Sequence, residues 1–156
     1  TEELLRLHKP ISRKLILKAQ AMPGGESLVK SCHKKNIPMA LVTSSSIESF
    51  QIKTAPHKWM NLFSVIVLGD DKLLIQGKPA PDPYLLAAQK LNVAPNECWA
   101  VEDSISGLSS ALEAGCFVFF LNSECNENLK KEVFDQQINL KQIANLKEIE
   151  QILKNH

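Results

Sequence analysis

Pro38-Met39-Ala40-Leu41-Val42-Thr43, followed by Ser44-Ser45-Ser46, is the stretch on which the fold turns. It is apolar at odd and even positions alike, as a strand reads when both faces of a parallel sheet are covered. A helical pattern resumes after the serines. Strand passing directly into helix is half of a strand–helix–strand unit, and the same alternation continues downstream. Val65-Ile66-Val67-Leu68 gives a second strand, and residues 83 to 91 give a helix carrying Leu85, Leu86, Ala87, Ala88 and Leu91. Cys98-Trp99-Ala100-Val101 is a third strand, Ile105 to Ala114 a helix, and Phe117-Val118-Phe119-Phe120-Leu121 a fourth strand. Asp82 is expected to cap the 83–91 helix, with Pro83 at its first position. Gly115 is expected to stop the next helix in a left-handed conformation. Upstream, Ala21-Met22-Pro23-Gly24-Gly25 reads as a turn, then a helix with Leu28, Val29 and Cys32 on one face. Residues 1 to 19 read as one or two helices broken at Pro10. The tail reads as a helix near Glu127 to Phe134, an extended piece near Ile138 and a last helix around Leu146 to Leu153. The alternation predicts an α/β fold: a Rossmann-like parallel sheet with helices on both faces.

The 156 residues suit one domain with a sizeable core. A formal charge of +1, from 18 basic and 17 acidic side chains, argues against a dedicated nucleic-acid binder. No apolar run approaches the roughly 20 residues that span a bilayer, and no signal peptide is visible. The four cysteines, Cys32, Cys98, Cys116 and Cys125, form no Cys-x-x-Cys pair. Cys98 and Cys116 lie in apolar, strand-like runs, where thiols act as small core residues. A reduced, cytoplasmic protein is the simplest expectation. His8, His33, His57 and His156 are not at metal-ligand spacing.

In sheets of this kind ligands bind beyond the carboxyl ends of the strands. The first strand ends in Thr43-Ser44-Ser45-Ser46 at a helix start, where hydroxyls and free N–H groups suit a phosphate. Ordinary N-capping is the alternative. The second strand leads through Gly69-Asp70-Asp71 to Gly77-Lys78-Pro79-Ala80-Pro81-Asp82-Pro83. Lys78, held between Gly77 and Pro79, either faces solvent or presents a fixed charge to an anion. The third strand ends in Glu102-Asp103-Ser104. Its two carboxylates either cap the next helix or hold a hard cation such as Mg²⁺. A phosphate nest, a positioned lysine and paired carboxylates on one sheet edge make most of a phosphoryl-transfer site.

In the order Leu41-Val42-Thr43-Ser44-Ser45, Gly77-Lys78-Pro79-Ala80-Pro81-Asp82 and Val101-Glu102-Asp103-Ser104 with Gly107, the chain resembles the haloacid dehalogenase (HAD) superfamily over nearly its whole length. The β-phosphoglucomutase-like branch matches best. Phe50 to Asp71, with His57-Lys58, Leu62-Phe63 and Gly69-Asp70-Asp71, looks most like pseudouridine monophosphatase and related sugar-phosphate phosphatases. The resemblance implies a Mg²⁺-dependent phosphatase for a small phosphorylated metabolite, a sugar, polyol or nucleoside phosphate, with no nucleic-acid or membrane partner. It implies that Thr43 and the Ser44 backbone hold the phosphoryl oxygens. Lys78, with Thr43 a catalytic residue, neutralises nucleophile and phosphate. Asp103 and Glu102 hold Mg²⁺. Residues 1–19 would be the remnant of a helical cap and 20–156 the core domain.

In one respect the chain departs from the pattern. The family's nucleophile is the first Asp of an Asp-x-Asp motif, which forms an aspartyl-phosphate while the second Asp is general acid and base. No Asp-x-Asp occurs here. Asp70-Asp71 are adjacent and follow the wrong strand. The family places its nucleophile strand in mid-sheet, between the Thr43 and Asp103 strands. The expectation is therefore a fragment without its central strand, inactive alone and weakly stable, because two buried edges are left unpaired. A mutase of the same branch and a non-catalytic HAD-like binding module are the competing readings. An unrelated doubly wound domain would share the fold but not the ordered motifs.

Overall fold

Residues 20–121 and 139–155 are described by the computed structural model. The expected cap remnant, residues 1–19, and the helix expected near Glu127 to Phe134 lie outside the described residues. Helix α1 (Gly25–Lys34) is followed by β1 (Ala40–Val42), α2 (Ile47–Thr54), a 3₁₀ turn (Lys58–Leu62) and β2 (Val65–Val67). Then come α3 (Asp82–Leu91), a 3₁₀ turn (Pro95–Glu97), β3 (Trp99–Glu102), α4 (Ile105–Glu113) and β4 (Phe117–Leu121). Strand β5 (Leu140–Ile143) and α5 (Lys147–Lys154) close the order.

All strand pairs are parallel, as the alternation requires. β1 pairs with β2, from Ala40↔Val65 to Val42↔Val67. β4 is central in a second sheet, between β3 and β5. Its Val118, Phe119 and Phe120 are all buried, which explains the unbroken apolar run. One face of this second sheet packs Ala100, Val118 and Phe120 on Leu108 and Ala111 of α4 and Tyr84 of α3. The other packs Phe119 and Ile143 on Leu28 of α1, Leu146 at the cap of α5, and Ile149 and Leu153 within α5. The helices thus cover both faces.

β1 and β3 belong to different sheets, and the resemblance places a further strand between them. Among the described residues no strand lies there.

Several boundaries differ from the expectation by one or two residues. Tyr84 and Leu85 both donate to the Pro81 carbonyl at 3.0 Å, so α3 begins at Asp82 and Pro81, not Asp82, is its cap. β3 runs one residue later, pairing Glu102 with Phe120. The extended piece near Ile138 is the full strand β5, beginning at Leu140. Gly115 does stop α4, at φ +93°. Cys116 N–H donates to Ala111 O at 3.0 Å and Gly115 N–H to Leu112 O at 2.9 Å, a Schellman stop.

Candidate active site

The carboxyl ends of β1 and β3 and the loop before α3 meet at the Lys78 ammonium, and of the strand-end residues singled out in the sequence Glu102 contacts it. Lys78 Nζ donates to the Val42 carbonyl at 3.3 Å, at the end of β1, and to Glu102 Oε1, at the end of β3. It lies 5.1 Å from the centroid of the Tyr84 ring, a cation–π contact. One ammonium therefore ties two sheets that share no ladder. Its loop is pinned from behind, where Ser110 Oγ of α4 donates to Ala80 O at 2.5 Å. An ammonium has three donors. Among the described residues, no acceptor meets the third.

Glu102 is buried because strand alternation points it inward with Ala100. A lone carboxylate there would be costly, and it is met on both oxygens. Lys78 and Tyr84 OH donate to Oε1, and Ser104 Oγ donates to Oε2 at 3.3 Å. Burial first, and then the Glu102 charge, pushes the Tyr84 phenol far above its usual range. Gly107 lies against the same carboxylate, so closely that a Cβ there would collide with it. The glycine of the Glu102-Asp103-Ser104…Gly107 pattern is thus a steric requirement of the buried acid.

Asp103 is exposed, at the start of α4, where Ser104 Oγ accepts from Gly107 N–H at 3.1 Å as the helix cap. The two carboxylates suit a hard cation unequally. Asp103 is open to it, whereas Glu102 is enclosed by its own donors. Among the described residues, no group of three or more His, Cys, Asp or Glu could hold a metal. The exposed Asp103 carboxylate nonetheless suits Mg²⁺, which keeps several waters and binds through one or two carboxylates plus substrate phosphate.

The Thr43–Ser46 segment divides between the two readings of its hydroxyls. Thr43 N–H continues the ladder to Val67 O at 3.0 Å, and its Oγ1 accepts from Ser45 N–H at 3.1 Å. Ser44 is exposed, and among the described residues its N–H meets no acceptor. Ser46 caps α2, accepting from Ser49 N–H at 3.4 Å. Both oxygens of Asp70 accept from Ile47 N–H at 3.1 Å. The helix start is therefore already filled by a carboxylate, and the open part of the nest is Thr43 with Ser44. Gly69 N–H donates to Ser45 O at 2.9 Å, and a Gly69 Cβ would come within 2.7 Å of the Ser44 carbonyl carbon.

Sequence reasoning missed Tyr84, Asp70 and the Val42 carbonyl. Tyr84 is the chain's single tyrosine, two residues into the helix after the lysine loop, and that placement was its signal. Asp70 was read only as an acid on the wrong strand, and nothing local marks it as the cap of a helix 23 residues back.

A family model described as haloacid dehalogenase-like hydrolase matches residues 3–115. A protein named probable pseudouridine-5′-phosphatase from Drosophila melanogaster is 39% identical over 118 residues, covering 73% of this chain and 51% of that protein. Hexitol phosphatase A from Escherichia coli (strain K12) is 40% identical over 113 residues, covering 72% of this chain and 51% of that protein. The HAD hydrolase, family IA, variant 3, from Entamoeba histolytica HM-1:IMSS superposes with a TM-score of 0.75 at 28% identity, covering 99% of this chain and 71% of that one. β-Phosphoglucomutase-like HAD proteins are also among the structural neighbours. The chain spans about half the length of the two curated relatives. Motif order, fold and family model agree: the chain belongs to the haloacid dehalogenase-like hydrolase family.

Proposed function

We propose that these residues form the phosphate-holding and Mg²⁺-holding part of a phosphohydrolase for a small sugar, polyol or nucleoside monophosphate. The observation that carries this reading is the position of Lys78, fixed between the β1 end and buried Glu102 beside the Thr43–Ser44 turn. The phosphoryl oxygens take the Thr43 hydroxyl, the Ser44 N–H and the remaining Lys78 donor. Phosphoryl transfer leaves the protein chiefly positioning and charge stabilisation to do, and these groups are assigned both tasks. Asp103 holds Mg²⁺ directly, and Glu102 acts through Lys78 by fixing its ammonium. When bound, the metal supplies Lewis-acid charge at the phosphoryl oxygens. The attacking carboxylate is assigned to an Asp-x-Asp segment that these 156 residues do not contain. The names of the relatives, two phosphatases of small phosphorylated metabolites, support the substrate class.

Reading the coding sequence upstream of the Thr1 codon tests the proposal. An apolar strand followed by Asp-x-Asp is the expected result. A start codon close to Thr1 would overturn it in favour of a phosphometabolite-binding module. Mg²⁺-dependent phosphate release by the 156-residue chain alone would contradict the assignment of the nucleophile.

A further inference from the structure

Cys98 and Cys116 stand opposite one another. The Cys98 carbonyl accepts the Phe117 N–H at 3.0 Å. In a parallel ladder a carbonyl accepts from the residue that follows its register partner. Cys98 therefore faces Cys116, one step before the Trp99↔Phe117 pair. Alternation sets Cys98 with Ala100, and Cys116 with Val118 and Phe120, against one core cluster. Adjacent strands lie about 4.7–4.9 Å apart. That falls within the α-carbon separations of about 4.4–6.8 Å that a disulfide spans. Cys32 packs in the other cluster, on the opposite face of β4.

We propose that Cys98 and Cys116 are a reversible oxidation site, closing a disulfide that clips β3 to β4 under peroxide. Cys98 is half-buried and meets the oxidant, whereas Cys116 is 2% exposed and resolves the product. The Cys98 thiol and hydrogen peroxide give a sulfenic acid and water. The Cys116 sulfur then attacks the Cys98 sulfur, forming the S–S bond and releasing a second water. Burial raises both thiols, Cys116 to about 11, so the reaction is slow near neutrality and quickens as pH rises. The clip closes the segment that carries α4 and Glu102-Asp103-Ser104. It lies at the amino ends of the strands, away from Lys78, so the oxidised protein keeps its phosphate site and gains thermal stability.

The test is peroxide treatment at mildly alkaline pH, followed by alkylation, digestion and mass spectrometry. A peptide pair linked through Cys98 and Cys116, released by dithiothreitol and accompanied by a higher Tm, is expected. Cys98→Ser removes the link and leaves the buried position untouched, and the wild-type peptide map decides even if that variant folds poorly. Cys98 driven to sulfinic acid beside an alkylatable Cys116, both thiols unreacted, or linkage to Cys32 or Cys125 would each overturn the proposal.

Discussion

Glu102→Gln keeps the size of the side chain and removes its charge. The side chains of Glu102 and Lys78 are only 6% and 9% exposed, so water screens their pairing little. The glutamine carbonyl oxygen can still accept from Lys78, but it leaves the ammonium without a counter-charge. Breaking a buried pair from one side costs about 3–5 kcal/mol. The retained hydrogen bond places the expected loss near the lower end, about 3 kcal/mol. For a domain of this size about 1 kcal/mol moves Tm by about 2–4 °C, so the variant is expected to melt about 6–12 °C lower. Urea denaturation followed by fluorescence of Trp59 and Trp99 measures the same loss independently. The double variant Lys78→Met/Glu102→Gln separates charge from shape. It buries no unpaired ion, so it is expected to recover more than half of the stability while still failing to bind phosphate. A Glu102→Gln protein within about 1 kcal/mol of wild type would contradict a buried Lys78–Glu102 ion pair, as would a double variant no more stable than the single one.

Alkaline pH provides a second check. Burial pushes Cys116 from 9.0 to about 11 and raises Tyr84 above its usual 10.0, with the Glu102 charge the next cause. The folded state then holds protons that the unfolded state has released. Each contribution is complete below pH 9.0 for Cys116 and 10.0 for Tyr84, and is lost as pH rises. Denaturation midpoints should fall above those values, and Tyr84→Phe should flatten the part above pH 10. Asp103→Asn should leave Tm within about 1 °C, because the residue is exposed, and should weaken Mn²⁺ binding measured by electron paramagnetic resonance about tenfold or more. Gly69→Ala should disturb the Thr43–Ser46 turn, costing about 1–3 kcal/mol in urea melts and weakening phosphate binding, since its Cβ would press on the Ser44 carbonyl.

Much of this architecture is legible in the residues because β1 to β4 are short, mainly apolar runs between turn signals, which β5, Leu140-Lys141-Gln142-Ile143, is not. Gly115 shows why local signals serve: one residue needs positive φ, and a glycine is there. Asp82 shows where they fail, since Pro81 offers its carbonyl first and the helix begins one residue early. Thr43, Lys78 and Glu102 stand out as motifs, but their employment is a tertiary matter. That Glu102 is the counter-ion of Lys78, rather than an open cation ligand, depends on β3 ending one residue later and on Tyr84 arriving from α3. Asp70 on Ile47 is a contact across 23 residues, beyond any local pattern.

We propose that Lys78, with Thr43 and Ser44, forms a phosphate seat. Isothermal titration of the chain with inorganic phosphate in Mg²⁺ tests it most directly, with Lys78→Met as the comparison. Saturable binding that weakens at least tenfold in the variant, equivalent to about 1.4 kcal/mol or more, is the expected result. Equal binding by both proteins, or none by the folded wild-type chain, would contradict it.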